Sequence, residues 1–326
     1  MAHDALEAGP GKLAPEDARK ITGRVTRLSV MVAATLVVAK LVSWILSGSV
    51  AMLASLADSS LDLVASLTTF FAVRYASSPA DAEHRYGHGK AEALASLLQA
   101  LLVALSAGYL IHESWNRFTN PQPLEAGAIA LSVMALSIAL TLGLVWAQTR
   151  AVKQTGSLAV TGDRAHYFAD LSSNMVVVGG LVLALVGIER ADPIMGFVVV
   201  LWLFWTAFTV GRDAISALMD RELPDEEREQ IIALAEDDPR VLGVHQLRTR
   251  ASGPFIHIQM HMELDPDLTL TRAHAILVAA EARVMAAYPA ADVLIHPDPK
   301  GRAAPHGNAY FGKDGASSAG PADEPA

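Results

Sequence analysis

Two pairs of ionisable residues interrupt stretches of sequence that are otherwise apolar. Asp58 and Asp62 form one pair, and His166 and Asp170 form the other. The members of each pair are four residues apart, so both project from the same face of a helix. Three carboxylates and one imidazole make a ligand set that suits a divalent metal ion. Because a charged group inside a membrane is costly, each of the four is a candidate functional residue.

The composition places these pairs in a membrane protein. The chain has 326 residues, of which 52% are hydrophobic and only 18% are charged, whereas a soluble chain carries about 25% charged residues. Six stretches are long enough to cross a bilayer, which takes about 20 residues. They lie at about 27–47, 51–75, 92–114, 124–148, 158–187 and 192–216. The sequence therefore predicts a six-helix transmembrane domain over residues 25–217.

The two pairs are expected to meet inside the membrane. Lys and Arg are concentrated in the N-terminal segment and in the second-to-third and fourth-to-fifth connections, which places both termini in the cytoplasm. At about 1.5 Å per residue, both pairs then lie near the middle of a core about 30 Å thick. A hydrogen bond between a carboxyl and the imidazole explains one Asp–His pair equally well, but four groups at one depth favour a metal site. Asp163 lies one turn before His166, where it either attracts incoming cations or sits at the membrane interface.

Histidines also gather in the regions expected to face the cytoplasm. Seven of the eleven histidines lie in the second-to-third connection or within residues 218–300. In the connection, Asp81, His84 and His88 have the spacing of metal ligands, although spacing alone favours a solvated polar loop. Beyond residue 217, the alternating strand FIHIQMHMEL carries His257 and His261 on one face. Neighbouring predicted elements supply further candidate ligands: His245, His274, His296 and Asp298.

Residues 218–300 have the pattern of a small α/β domain with an open sheet. Its predicted elements are helices at 224–237 and 270–287 and strands at about 241–250, 255–264 and 292–297. The fold class is thus an α-helical membrane protein with a C-terminal α/β domain. Residues 1–24 and the Ala-, Gly-, Pro- and Ser-rich residues 301–326 are predicted to be disordered.

Composition also excludes several kinds of site. There is no cysteine, so disulfides and thiolate metal sites are ruled out. Oxygen and nitrogen ligands suit exchangeable zinc, iron, manganese or cadmium. The net charge of −9 argues against a nucleic-acid partner. Residues 1–20 lack the apolar run of a signal peptide, so the first membrane helix is expected to direct insertion into the lipid bilayer.

The chain resembles the cation diffusion facilitator family, and in particular its bacterial zinc and iron efflux pumps, from about residue 25 to 300. The resemblance is carried by GSVAMLASLADSSLD, SSPADAEHRYGHGKAEALASL, GDRAHYFADLSSN, LMDRELPDEERE, GVHQLRTRASGP and VLIHPDP. It implies a homodimer in the bacterial cytoplasmic (inner) membrane, with a ferredoxin-like, metallochaperone-like cytoplasmic domain in each protomer.

The resemblance also implies a role for each candidate residue. The transport site corresponds to Asp58, Asp62, His166 and Asp170, and a loop site corresponds to Asp81, His84 and His88. A binuclear cytoplasmic site corresponds to His245, His261, His296 and Asp298, with His274 close by. A charge interlock at the dimer junction corresponds to Lys90 and Asp220, while His257 matches no assigned position.

The expected function is export of Zn²⁺ in exchange for protons by alternating access, with Fe²⁺ and Cd²⁺ as alternatives. Imidazole suits zinc and iron, whereas an all-oxygen site suits manganese better. His166 can change charge near neutral pH, and metal binding requires deprotonated ligands. Two alternatives use the same ligands. One is a membrane metal sensor, and the other is an intramembrane metalloenzyme, which is disfavoured because no HExxH motif is present and four protein ligands leave no open position.

Overall fold

The structure is a computed structural model that describes residues 9–119, 128–185 and 191–302. The chain forms two compact units. Among the described residues, the first contains residues 16–219, and the second contains residues 10–15 together with residues 220–302. Each unit positions its own set of candidate ligands.

The first unit consists of long helices that correspond to the predicted spans. They are α1 (Pro15–Ser47), α2 (Val50–Ala76), α3 (Lys90–Thr119), α4 (Ala128–Thr155), α5 (Leu158–Leu185) and α6 (Ala191–Leu218). Within the described residues, every one of these helices except α5 contains a stretch that is long and apolar enough to cross a membrane. The first half of α5 is more polar because it carries Asp163, Arg164, His166 and Asp170.

The packing of α5 explains how a membrane helix accommodates these polar residues. Tyr167 of α5 packs against α1 and α4, and Ala159 packs against α2 and α3. Ala165 and Ala169 pack against α3 and α6. Gly162 allows α3 to approach closely, since a Cβ at this position would lie 2.9 Å from the Cα of Ser96. The other helices therefore surround much of α5 and bury Asp163 and His166.

The start of α1 corrects the predicted disordered segment 1–24. The helix already begins at Pro15, and proline is favoured in the first helical turn because its missing N–H has no partner there. Glu16 and Asp17 follow, and their charges complement the helix dipole. Residues 1–8 lie outside the described part of the chain, as do residues 303–326 of the predicted tail.

The second unit has the helix and strand order αββαβ. Its elements are α7 (Asp225–Glu236), β1 (Gly243–Ser252), β2 (Phe255–Leu264), α8 (Leu270–Ala287) and β3 (Ala291–Pro299). The sheet order is β1-β2-β3, with β1 and β2 antiparallel and β2 and β3 parallel. Along the chain, the order αββαβ is that of a ferredoxin-like βαββαβ unit without its first strand.

The core of the second unit follows the predicted alternation of β2. Ile256, Ile258, Met260 and Met262 are each at most 1% exposed, and they pack with residues of α7 and α8 in one apolar cluster. The opposite face of β2 is left to polar side chains, including His261. The two-residue period of the strand thus separates the core from the candidate metal ligands.

A short segment before α1, Pro10–Lys12, packs against this second unit, and we call it the N-terminal strap. The Gly11 N–H donates to the Pro254 carbonyl at 3.2 Å, and the Ala290 N–H donates to the Gly11 carbonyl at 3.1 Å. Lys12 forms an ion pair with Glu227. The strap therefore makes backbone and side-chain contacts that a disordered segment would lack.

Candidate metal centres

The first candidate centre lies between α2 and α5. Asp62, His166 and Asp170 each offer a ligand atom within 4.8 Å of the others. The Nε2 of His166 lies 3.0 Å from Oδ1 of Asp62 and 3.9 Å from Oδ2 of Asp170. His166 is 5% exposed and Asp62 is 8% exposed. The helices thus bring three of the four predicted transport ligands into one buried cluster, which we call the membrane cluster.

Asp58 is the predicted ligand that the structure does not bring into the membrane cluster. It lies one turn before Asp62 on α2, and its side chain is exposed. Its charge still interacts with those of Asp62 and His166. An exposed carboxylate at this depth requires water rather than hydrocarbon beside it. Asp58 therefore lies beside the cluster, and its role as a fourth ligand stays a prediction.

Asp163 is fully buried among the helices, with 0% of its surface exposed. Its carboxylate accepts hydrogen bonds from Ser29 at 2.7 Å, from Gln148 at 2.8 Å and from Gln99 at 3.4 Å. These donors come from α1, α4 and α3, so the carboxylate joins four helices. A path for cations past Asp163 stays a prediction, whereas its hydrogen bonds give it a structural role.

The connection between α2 and α3 forms a second group. Asp81, His84 and His88 offer ligand atoms within 4.8 Å of one another. Nε2 of His88 lies 3.2 Å from Oδ2 of Asp81, and the positive φ of Gly87, 80°, closes the turn. The backbone N–H of His84 donates to Asp81 and lowers the pKa of that carboxyl. The loop thus holds an ionised carboxylate beside two imidazoles.

The third group follows from the register of the sheet in the second unit. His245 pairs with His261 across β1 and β2, and His261 pairs with His296 across β2 and β3. Asp298 lies within reach of all three, at 3.3 Å from Nε2 of His245, 3.0 Å from Nδ1 of His261 and 3.4 Å from Nε2 of His296. We call these four residues the sheet cluster. One row of the sheet therefore presents three imidazoles to one carboxylate.

Two further histidines lie apart from the sheet cluster. His274 is an exposed residue of α8, and it does not belong to the group of ligand atoms found among the described residues. His257 lies on β2 with its Nδ1 3.2 Å from Asp292. The structure thus gives His257 a carboxylate neighbour, while a metal-binding role for His274 stays a prediction.

Comparison with known proteins gives these centres their context. Residues 26–219 match the cation efflux transmembrane domain, and residues 223–300 match the cytoplasmic domain of cation efflux proteins. The chain belongs to the cation efflux family. It is therefore a multi-pass membrane transporter and not an enzyme, and the α/β unit is the cytoplasmic domain of this family.

Relatives from this family align with most of the chain. The cation-efflux pump FieF of Shewanella oneidensis is 45% identical, with 84% of this chain and 93% of the relative covered. FieF of Cronobacter sakazakii is 38% identical over 87% of this chain and 94% of its own. A solved structure of CzrB in its Zn form is 33% identical, covers 26% of this chain and 96% of its own, and has a TM-score of 0.25.

The two residues of the predicted charge interlock lie in different units of this cation efflux protein. The Lys90 ammonium donates to the carbonyl of Leu218 at 3.1 Å. Asp220 has a positive φ of 56° and pairs with Arg250 at 3.2 Å. Lys90 is the first residue of α3 and Asp220 lies in the turn after α6. The interlock between them stays a prediction.

Several polar residues near the membrane cluster are absent from the sequence predictions. Gln99 and Gln148 are 1% and 0% exposed, and both donate to Asp163. Lys40 of α1 donates to Ser59 of α2. The sequence could have indicated these residues because each is a polar residue within a predicted membrane span, which is the criterion that identified Asp62.

Proposed function

We propose that this cation efflux protein exports Zn²⁺ from the cytoplasm in exchange for protons, with Fe²⁺ and Cd²⁺ as further substrates. The observation that carries the proposal is the buried cluster of Asp62, His166 and Asp170 within two membrane helices. One imidazole with carboxylates is a ligand set that suits zinc and iron. The relatives named cation-efflux pumps support the outward direction.

Proton exchange follows from the contacts of His166. Its Nε2 faces Asp62 and Asp170, so a proton on this nitrogen lies between the imidazole and two carboxylates. A metal ion needs the lone pair of this nitrogen, so a cation that binds here must displace a proton. In the reverse direction, a proton that arrives from outside weakens metal binding and returns the cluster to its empty form. Metal and proton therefore compete for the same atom.

Alternating access requires the cluster to open to one side of the membrane at a time. Asp62 belongs to α2 while His166 and Asp170 belong to α5, so the ligands come from two separate helices. A bound cation links α2 and α5 through its ligands. When protons replace the cation, this link between the two helices is lost. A shift in population between inward-open and outward-open states then changes the side of the membrane from which the cluster is accessible.

We further propose that the protein is a homodimer in the bacterial inner membrane with both termini in the cytoplasm. The basic connections support this orientation, and the match to a cytoplasmic domain over residues 223–300 agrees with it. In this arrangement the sheet cluster and the loop group face the compartment from which metal is removed. Zinc bound to the sheet cluster would act as a sensor that biases the membrane helices.

Zinc flux into proteoliposomes with a pH gradient tests the transport proposal. Removal of a residue that only hydrogen-bonds to a metal ligand costs roughly 10–100-fold in metal affinity or activity. Asp62→Asn alters a ligand itself, so we expect it to reduce zinc flux by more than that. Asp213→Asn is the matched control, because Asp213 is exposed on α6 and pairs with Arg212. Equal flux in wild type and Asp62→Asn would refute the proposal. Zinc binding without any flux would favour the membrane sensor instead.

The sensor role needs a separate measurement. His261→Ala removes the central imidazole of the sheet cluster, and Gln259→Ala truncates an exposed neighbour on the same strand as a control. We expect His261→Ala to flatten the zinc dependence of the transport rate, while Gln259→Ala leaves it intact. An unchanged zinc response in His261→Ala would exclude the sheet cluster as the sensor.

A further inference from the structure

A lysine on α1 lies beside the membrane cluster without belonging to it. The Lys40 ammonium donates to the Ser59 hydroxyl at 2.6 Å and to the Ser55 carbonyl at 3.2 Å. Both acceptors are neutral groups of α2, and Ser59 is 1% exposed. An ammonium within a membrane helix is costly, so its placement against α2 calls for a compensating charge.

The compensating charges are the carboxylates around the membrane cluster. Ser59 directly follows Asp58 and lies three residues, less than one helical turn, before Asp62. The charge of Lys40 interacts with the carboxylates of Asp58 and Asp170. Ser55 and Ser59 therefore hold the ammonium beside the carboxylates. The ammonium has no lone pair with which to bind a metal ion, so Lys40 acts on the site through its charge.

We propose that Lys40 is a fixed counter-cation of the transport site, which weakens metal binding and thereby speeds metal release. This inference rests on the proposed transport function of the membrane cluster. Three carboxylates repel one another when no metal is present, and the ammonium reduces that repulsion. The same positive charge repels an incoming divalent ion. Lys40 thus stabilises the empty site at the expense of the loaded one, as a transporter that must release its substrate requires.

The proposal predicts a gain of affinity, which damage to the fold would not produce. The test uses the full chain in which the loop group and the sheet cluster are disabled by His84→Ala, His88→Ala, His245→Ala, His261→Ala, His296→Ala and Asp298→Asn. The membrane cluster of this chain is then titrated with Zn²⁺ by calorimetry. Adding Lys40→Met is expected to tighten zinc binding about tenfold, because a nearby unit charge acts strongly on a divalent ion at an effective dielectric constant of about 20. Lys40→Arg keeps the charge and should bind zinc as the parent chain does.

Two further variants make the comparison specific. Lys40→Gln provides a second neutral side chain in case Lys40→Met folds poorly, and Lys153→Met removes an exposed lysine of α4 as a control for net charge. In proteoliposomes, Lys40→Met should lower both the KM for zinc and the maximal rate, since tighter binding slows release. The Lys153→Met variant should change neither quantity.

The possible failures are distinct. Unchanged or weaker zinc binding in both Lys40→Met and Lys40→Gln would overturn the counter-cation role and leave the transport function standing. Tighter binding in Lys40→Arg as well would also overturn it, because the effect would then not depend on charge. A parent chain that binds no zinc at all would overturn the transport site and the role of Lys40 together.

Discussion

His166 on α5 and Asp62 on α2 are in direct contact, with Nε2 of the imidazole 3.0 Å from Oδ1 of the carboxylate. The two residues are 104 positions apart in the chain, so the contact depends on the packing of two separate helices. The same nitrogen lies 3.9 Å from Asp170. His166 therefore has three roles in the proposed mechanism: it supplies the nitrogen ligand, it carries the exchanged proton, and it connects α5 to α2.

The nitrogen ligand of His166 is expected to set the preference for zinc over manganese. His166→Asp makes the membrane cluster all-oxygen, which suits manganese better than zinc. We expect zinc flux in proteoliposomes to fall by more than about a hundredfold while manganese flux falls less or rises. His112→Asp, which makes the same exchange at an exposed position of α3, is the control. An equal loss for both metals would show that His166 supports folding or proton exchange rather than metal choice.

Asp58 tests whether the empty cluster rearranges when metal binds. A closed zinc site takes four ligands, and the membrane cluster supplies three. If Asp58 completes the site, Asp58→Asn should weaken zinc binding about as much as Asp62→Asn does, when both are titrated in the chain with silenced loop and sheet ligands. Wild-type affinity in Asp58→Asn would contradict a fourth-ligand role. Asp213→Asn again controls for the loss of one carboxylate.

The difference between Asp58 and Asp62 shows where sequence reasoning reaches its limit. Helix period and depth are local properties, and they correctly predicted that α2 and α5 bring Asp62 and His166 together. Whether Asp58 points into the same space depends on the rotation of α2 against α1 and α5, which many distant contacts decide. For the sheet cluster, the two-residue strand period placed His261 on the polar face of β2, whereas the set of four ligands was implied by the family resemblance. The register that aligns His245, His261 and His296 is a property of the structure.

The start of α1 and the burial of Asp163 were missed for related reasons. Residues 15–24 are too polar for a hydropathy search, although Ala18, Thr22 and Val25 form a buried stripe with helical spacing. Asp163 is satisfied by side chains from α1, α3 and α4, and no single stretch of sequence contains that information. Polar networks that join several helices are therefore harder to predict than ligand pairs within one helix.

The Asp163 network is expected to contribute to stability. Asp163→Ala removes the charged acceptor shared by Ser29 and Gln148, which then keep only the Val25 carbonyl and the Ser29 hydroxyl as acceptors. A hydrogen bond to a charged group contributes about 1.5–3 kcal/mol. Thermal unfolding in detergent should show a clear loss relative to Asp213→Ala, whose parent side chain is exposed. A raised KM for zinc at unchanged thermal stability would instead support a path for cations past Asp163.

Asp238 gives the cytoplasmic domain a defined response to acid. The side chain of Arg240 donates to Asp238 at 2.9 Å and 2.6 Å and lowers the pKa of that carboxyl well below its usual range. A group with a lowered pKa in the folded state contributes stability at neutral pH, and this contribution is lost as the pH falls below about 4. Asp238→Asn should therefore lower the melting temperature of residues 220–302 at pH 7.

The difference between wild type and Asp238→Asn should shrink as the solution is acidified through this range, because the wild-type carboxyl then becomes neutral as well. Asp237→Asn changes the exposed neighbouring carboxyl and serves as the control. A gap in melting temperature that stays constant from pH 7 to the acid range would show that the Asp238 charge is not the cause.

Gly11 provides a selective way to release the N-terminal strap from the cytoplasmic domain. Its φ is +84°, and a Cβ at this position would lie 2.7 Å from Cδ1 of Ile256. Gly11→Ala therefore destabilises the strap in two ways. The left-handed backbone costs an L-residue about 1–2 kcal/mol, and the new methyl group clashes with the core residue Ile256. We expect faster amide hydrogen exchange at Gly11 and Lys12 and at Ala290, whose N–H donates to the Gly11 carbonyl.

Gly9→Ala is the matched control, because nothing lies within 4 Å of a Cβ at that position. It should leave exchange at Ala290 unchanged. Lys12→Ala removes the ion pair with Glu227 but keeps the backbone bonds of Gly11, so it should release the strap less than Gly11→Ala does. If all three variants exchange alike at Ala290, the backbone bonds of Gly11 do not hold the strap in place.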